Sequence, residues 1–587
     1  MSVSLPTLES PQSDFLRQLL DEQTRVTAVE RFSALHDATP DGGRPREMLQ
    51  GPAQARFYKE LLPATPPSPG QHYAFEVDLN ACSGCKACVV ACHTLNGLDE
   101  DESWRRVGTL TIGDTAPRLQ HITTACHHCA DPGCLKGCPV KAYHKDPVTG
   151  IVRHLDDQCI GCKYCTMMCP YEVPTYNERL GIVRKCDMCQ QRLSVGEAPA
   201  CVQACPNAAI SIRLVADAPV KRNASDRLSP GAPLSSITSP TTRYCGVSPQ
   251  QLSQAKPQDA ELDQPAESHW PLALMLVATQ AAVGLLVVER FCHYGAPLLG
   301  CATPSAKITL VTLCTAFIAA ALGLAAAGLH LGQPLRAWRV FLGLKTSWLS
   351  REALLFGQTM GLLFGSIVLS AKQTVQVGLS SLSLGHWLPL PQTLSPLLPD
   401  VLASEALAEG LLLMTTLSGM VALISSGMIY IVTQRNLWRP SRTFGRFLAT
   451  GLCLGCVFFG GLLSWLAGPP AVMAAVFAVA AGGLAIKLFW EGRWLLGRGG
   501  LLDCDHDRRS RKLARGPLNT LRMLRLISGC VACLLAALAV VGAASTAVTL
   551  TLATAVAAVL SMLIGEVSER LLYFSSVVYD RMPGTLP

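Results

Sequence analysis

The sequence predicts a multidomain chain: a small α+β domain of duplicated cysteine-rich units, followed by an all-α bundle of about eight membrane-crossing helices. Three observations predict it. Sixteen of the 25 cysteines crowd between Cys82 and Cys205. From Pro271 onward, stretches rich in Ala, Leu, Val and Gly recur, each near the roughly 20 residues that a spanning helix needs. A stretch rich in Pro, Ser, Gln and Asp separates the two regions. At 587 residues the chain is too long for one domain. Its low charge content, 16%, reflects the C-terminal half.

Residues 1–72 read as a polar N-terminal extension. An amphipathic helix is expected around Phe15–Leu35 and a break at the proline-rich Pro63–Pro69, with Phe57, Tyr58, Leu61 and Leu62 in need of burial. Acids and polar residues run through the start of the chain, unlike the apolar core of a signal peptide.

Residues 73–215 hold four groups of four cysteines. These are Cys82, Cys85, Cys88 and Cys92; Cys126, Cys129, Cys134 and Cys138; Cys159, Cys162, Cys165 and Cys169; and Cys186, Cys189, Cys201 and Cys205. The first and third read C-x2-C-x2-C-x3-C, and proline follows the last cysteine of three groups, at Pro139, Pro170 and Pro206. Three close thiolates on a short loop reach three corners of one iron–sulfur cubane. The cysteine three residues on faces away and tends to ligate the neighbouring cluster. Four groups therefore predict four 4Fe-4S clusters in a duplicated ferredoxin-like domain, with short strands at Tyr73–Val77 and Ile210–Leu214 bracketing the loops. Zinc ribbons have no use for a third close cysteine, and a disulfide framework suits a small secreted domain without a membrane partner. His93 and Trp104 are expected either to shield a cluster or simply to pack.

Residues 216–269 read as a linker that tethers the two halves. Residues 270–575 form the membrane domain, with spans expected near 271–288, 308–330, 353–371, 410–432, 446–467, 470–489, 523–542 and 544–565, and 576–587 as a tail. The segment Gln373–Glu409 is expected to cap the outer face. With eight spans, the loops after the second, fourth and sixth share a face with the cysteine domain. Those loops carry Arg336, Arg339, Lys345 and Arg351; Arg435, Arg439, Arg442 and Arg446; and Arg493 through Arg522. The positive-inside rule then puts that face in the cytoplasm of a bacterial inner membrane. The basic tract Arg508–Arg515 reads as a topology signal and not as a nucleic-acid site.

Haem between helices would need histidines within spans, whereas His269, His293, His330 and His386 sit at or outside span ends, so no haem is expected. An electron carrier in the lipid would then exchange electrons directly with a cluster near the membrane surface. Quinol oxidation also releases protons, which suits a histidine with a carboxylate nearby: His330 ends the second span and Glu352 begins the third. The plainer alternative is that both merely end helices and pair with neighbouring arginines. Glu289, Lys487, Glu491, Glu566 and Glu569 read as span-end anchors or ion pairs, and mid-span carboxylates or lysines, which an ion-translocating module needs, are expected to be nearly absent.

Residues 73–215, with Cys82-Ser83-Gly84-Cys85, Cys159-Ile160-Gly161-Cys162 and Cys169-Pro170-Tyr171, resemble the four-cluster electron-transfer subunit of the dimethyl sulfoxide reductase family of molybdoenzymes. Residues 270 to about 575 resemble the membrane anchor subunit of the same complexes, through His330-Leu331-Gly332-Gln333-Pro334 and Ser347-Trp348-Leu349-Ser350-Arg351-Glu352. The resemblance implies a fusion of the two. It implies crossed ligation: Cys82, Cys85 and Cys88 with Cys205; Cys186, Cys189 and Cys201 with Cys92; Cys126, Cys129 and Cys134 with Cys169; and Cys159, Cys162 and Cys165 with Cys138. It also implies that His330 and Glu352 oxidise menaquinol or ubiquinol, with Arg351, Gly332 and Pro334 in the pocket. A separate molybdopterin-containing catalytic subunit would then receive the electrons in anaerobic respiration, so this chain is not itself catalytic for the terminal substrate. Reverse flow from a formate dehydrogenase or hydrogenase to quinone, and a redox-driven ion-translocating module, are the rival readings.

Overall fold

The computed structural model describes residues 58–113, 117–216, 226–298, 300–376, 405–497, 504–545 and 547–585. The helix expected at Phe15–Leu35, Phe57 and most of the expected cap lie outside them.

The cysteine region is built on short strands: β1 (Gln71–Asp78), β2 (Arg106–Ile112), β3 (Arg118–Thr124), β4 (Tyr143–Lys145), β5 (Val152–His154), β6 (Thr175–Asn177), β7 (Ile182–Arg184), β8 (Ile210–Ala216), β9 (Arg243–Cys245) and β10 (Lys256–Pro257). β1 pairs antiparallel with β8, Tyr73 opposite Leu214 and Val77 opposite Ile210, so the first and last strands of the region close on each other. β2 and β3 form a hairpin, and β4–β5 and β6–β7 are two smaller ones. Between them run the short helices α1 (Ala87–Leu95), α2 (Gly133–Gly137), α3 (Tyr164–Met168), α4 (Gln190–Ser194) and α5 (Ala200–Gln203). Phe75, Ile151, Ile210 and Ile212 pack with Tyr58 and with the cysteines themselves, so side chains supply only part of this core.

Residues 226–269 are not the free tether that their composition suggests. β9 adds to β1 in parallel, β10 adds to β2, and α6 (Pro249–Gln254) lies between. Edge pairing uses backbone groups, so a polar, proline-rich segment can join a sheet without an apolar period. The C-terminal tail returns to the same region: Arg581 N–H donates to Gly231 O at 2.9 Å and Arg106 donates to Thr585 O at 2.7 Å.

Eight helices among the described residues are long and apolar enough to cross a membrane. They are α7 (Trp270–Leu298), α8 (Ala306–Gly328), α9 (Trp348–Gln376), α10 (Glu405–Ile431), α11 (Pro440–Trp465), α12 (Pro470–Leu495), α14 (Asn519–Ala544) and α15 (Val548–Ser575), with the short basic α13 (Asp505–Arg515) before the last pair. α7 and α11 cross backbone to backbone: a Cβ on Gly284 would overlap Gly451 O, and one on Gly455 would overlap Gly284.

Several helices outrun the expected spans because their charged residues are paired inside the bundle. Lys487 and Glu566 lie within α12 and α15, not at their ends, which corrects the expectation of nearly charge-free spans. Lys487 bonds Glu566; Arg525 bridges Glu566 at 3.0 Å and Glu491 at 2.9 Å; and Arg570 donates to Gln280 at 2.8 Å and Thr450 at 3.0 Å. Near the opposite end, Arg290 joins Glu289 and Glu409, and Thr309 donates to Glu289 at 2.8 Å. In lipid such charges persist only when they satisfy one another. Gly284→Val should therefore wedge α7 from α11 and destabilise the chain by roughly 1–3 kcal/mol, seen as a lower unfolding temperature in detergent, whereas Gly482→Val, where a Cβ meets nothing within 4 Å, should be far milder.

Candidate functional site

The cysteine loops are wound by backbone of alternating handedness. Gly84 and Gly161 sit at φ 72° and 67°, and Lys86 and Lys163 at φ 61° and 55°, so successive N–H groups turn inward. Amides point at sulfur: Gly161 N–H reaches Cys159 Sγ at 3.3 Å, Ala142 N–H reaches Cys138 Sγ at 3.2 Å, and Ala209 N–H reaches Cys205 Sγ at 3.3 Å. Cys82, Cys85, Cys88 and Cys205 line one cavity of about 310 Å³. Cys126, Cys129, Cys134 and Cys169 line another of about 360 Å³. In both, three cysteines of one group meet the last cysteine of a different group. Cys92 lies electrostatically close to Cys201 and Cys189, and Cys165 to Cys162, Cys138 and Cys159.

This donor set fits iron–sulfur cubanes: soft ligands gathered around a shared cavity, with hydrogen bonds aimed at sulfur. Burial pushes the Cys92 thiol up to about 12, and the Cys138, Cys169 and Cys189 thiols up to about 11. Ionised sulfur there needs a metal to hold it. Two buried cations, which no sequence motif marked, face these groups. Arg105 bonds Thr123 at 3.2 Å, close to Cys201 and Cys88, and Lys185 lies 3.6 Å from Cys126 Sγ. Each offsets the negative charge of a thiolate-ligated cluster. Trp104 packs on the core that includes Cys88, Cys186 and Cys201, its indole donating to Glu102 at 2.8 Å, and His93 lies 3.2 Å from Asp99 O.

The third cysteine group docks on the connection between α8 and α9. A Cβ on Gly161 would lie 2.9 Å from Gly332 N, and one on Gly332 would overlap Gly181 O, so three glycines bring the two backbones into contact. Gln333 N–H donates to Ile160 O at 3.0 Å and its side chain to Leu180 O at 2.9 Å. Ser347 donates to Gly137 O at 2.7 Å and Ser350 to Pro139 O at 3.3 Å. Arg435, after the fourth helix, reaches Met167 O at 3.4 Å, and Arg509, after the sixth, pairs with Asp263 at 2.7 Å. The cysteine region and these connections thus share one face of the bundle.

Beneath this junction is a cleft of about 1030 Å³, lined by Cys162, Tyr164, His330, Glu352 and Tyr430 together with apolar residues such as Leu272, Leu324, Leu349 and Phe356. His330 Nε2 and Glu352 Oε1 are buried there without a hydrogen-bond partner among the described residues. Burial, with His269 and Lys163 nearby, pushes the His330 ring down to about 4, so it is neutral at neutral pH. Ala337 and Val340 of the segment Pro334–Gly343 line the cleft, while Leu335 and Trp338 of the same segment are exposed, 94% and 67%. Such a segment suits the lipid boundary.

Of the residues expected in this pocket, Gly332, Pro334 and Arg351 lie elsewhere. Gly332 packs on Gly181, Pro334 begins the segment Pro334–Gly343, and Arg351 bonds Leu344 O and Lys345 O while covering the Trp348 ring. Short motifs at a domain junction carry docking residues as well as reactive ones, and spacing does not separate them.

The fold and the site define a membrane-anchored iron–sulfur electron-transfer protein. The family described as 4Fe-4S dicluster domain matches residues 118–214, and the DMSO reductase anchor subunit (DmsC) family matches residues 266–377. The B subunit of the anaerobic dimethyl sulfoxide reductase of Haemophilus influenzae is 34% identical over 180 residues, 29% of this chain and 87% of that one. Its counterpart in Escherichia coli K12 is 40% identical over 143 residues, 23% of this chain and 69% of that one. The iron–sulfur subunit of the nitrate-inducible formate dehydrogenase of the same strain is 37% identical over 168 residues, 25% of this chain and 57% of that one. The chain belongs to the family of dimethyl sulfoxide reductase iron–sulfur subunits, here fused to an anchor subunit, and it carries 4Fe-4S clusters.

Gly332→Val should force the Cys159–Cys165 loop off the α8–α9 connection. The iron content should be retained, while electron exchange between the membrane and the clusters slows at least about tenfold in stopped-flow reduction, given the steep cost of misplacing reacting groups.

Proposed function

We propose that this chain oxidises quinol at the cleft beneath the third cysteine group and delivers the electrons, through four 4Fe-4S clusters, to a separate molybdopterin-containing catalytic subunit. The observation that carries this reading is the pair of unpartnered buried polar atoms, His330 Nε2 and Glu352 Oε1, in an otherwise apolar cleft that Cys162 also lines. A quinol has an apolar body and two hydroxyls, which is the complement of such a site.

The proposed ligand sets are the crossed ones: Cys82, Cys85, Cys88, Cys205; Cys92, Cys186, Cys189, Cys201; Cys126, Cys129, Cys134, Cys169; and Cys138, Cys159, Cys162, Cys165. Two cavities lined by such mixed sets support this pairing. Bound clusters supply one-electron steps that a side chain cannot. The neutral His330 ring accepts a hydroxyl proton as quinol loses electrons, and Glu352 takes or orients the second hydroxyl. The exposed Leu335 and Trp338 bring the mouth of the cleft to the lipid, where menaquinol or ubiquinol is dissolved. No membrane haem is required, because the cleft and the nearest cysteine set adjoin. The basic loops on the docking face support a cytoplasmic orientation at the inner membrane. Similarity to the formate dehydrogenase subunit supports a second reading, in which the same groups reduce quinone. The subunit that co-purifies decides between them.

His330→Ala should abolish reduction of the clusters by quinol while leaving their paramagnetic resonance signals intact on chemical reduction. Normal quinol-driven reduction in that variant would remove the site. Because the ring is held down to about 4, the rate should hold as pH falls from 7 and drop only as the ring protonates near 4. An unperturbed histidine would instead cut it near about 6.5.

A further inference from the structure

Two titratable side chains beside the cleft have no part in the reaction just described. His269 precedes α7 in a left-handed conformation, φ 43°, which is uncommon for a residue with a side chain. Its ring meets the His330 ring edge to face, with centroids 5.2 Å apart at 82°. His269 Nδ1 is buried without a hydrogen-bond partner among the described residues, and it lies 3.6 Å from Glu267 Oε1. Glu267 is half-exposed and bonds Lys163 at 2.6 Å. Beyond this pair opens a second, polar cleft of about 890 Å³, lined by Glu267, His269, Glu172, Arg435 and Arg581. His330 therefore borders the apolar cleft, and His269 and Glu267 border the polar one, on the face that carries the cysteine region.

We propose that His269 and Glu267 conduct the protons released at His330 from the apolar cleft to water on the iron–sulfur face. This rests on quinol being oxidised at His330. For each quinol, two O–H bonds break, two electrons leave singly to the clusters, quinone remains and two protons must depart. A proton taken by His330 Nε2 makes that ring cationic; the ring returns to neutrality by releasing a proton towards His269 and can then take the second proton the same way. No hydrogen bond joins the two rings, so a water or a small ring rotation completes the transfer. His269 then passes the proton from Nδ1 to the Glu267 carboxylate, and Glu267 yields it to the polar cleft.

The groups facing His269 are Glu267, Lys163, Arg435, His330 and the Phe574 ring. Two fixed cations discourage a proton from resting on His269, while the half-exposed carboxylate draws it outward. The geometry suits passage and not storage.

The test uses the assembled complex in native membranes, with His269→Gln and Glu267→Gln. Each should slow reduction of the clusters by quinol roughly a hundredfold, at the low end for loss of a proton-transfer group, while the affinity for a quinone analogue and the cluster signals stay unchanged. Added imidazole should restore the His269→Gln rate, and the solvent deuterium isotope effect should rise in both variants. If His269→Gln fails to assemble, Glu267→Gln alone carries the test, since that side chain is on the surface. Parent rates in the variants, or slow rates that imidazole and deuterium do not alter, overturn the relay. His330→Ala separates the two claims. An inactive His330→Ala beside unimpaired His269→Gln and Glu267→Gln removes the relay and leaves the quinol site, whereas an active His330→Ala removes both.

Discussion

The structure depends on one backbone contact, where the Cys159–Cys165 loop touches the α8–α9 connection through Gly161, Gly181 and Gly332. No side chain separates the two segments there, and Gln333 fixes their register with hydrogen bonds to Ile160 and Leu180. Electron transfer between a lipid-soluble donor and a protein-bound cluster needs the two to be close. Backbone apposition is the shortest way to mount a cysteine loop on a membrane helix pair. Ser347 and Ser350 near the start of α9, with Arg435 and Arg509 of two further loops, then hold the cysteine region to the same face.

That contact explains why the polar atoms lie where they do. His330 follows α8 and Glu352 lies in the first turns of α9, so the connection that docks the cysteine loop also carries the two groups suited to proton chemistry. His330, Glu352 and Cys162 of the third cysteine group line one cleft beneath the joint. Other buried charges among the described residues are paired: the Lys487, Glu566, Arg525 and Glu491 network ties together helices that apolar packing in lipid would leave weakly associated.

Much of this was legible in the sequence. Cysteine spacing reflects cluster geometry, and two of the expected mixed sets gather around cavities, while hydropathy found eight spans because lipid tolerates only internally bonded backbone. The edges of those spans were not legible. Glu289, Lys487 and Glu566 read as boundaries because pairing across helices leaves no trace in a local window. The fold of residues 226–269 was hidden for a similar reason, since β9 and β10 join their sheets through backbone alone. At the site, His330 and Glu352 were recognisable by chemistry, while Gly332, Pro334 and Arg351 shared their motifs but serve the joint. Arg105, Lys185 and His269 carried no signal, because one buried cation or one histidine before a helix looks like any other.

The central claim is that quinol exchanges electrons directly with the cluster held by Cys162 and its partners. The most direct measurement is paramagnetic resonance of the reduced complex with and without a bound quinone analogue, the relevant signal being identified by its change in Cys162→Ser. The account predicts that the analogue perturbs this one signal and leaves the others alone. Perturbation of a different cluster, or of none, would contradict it.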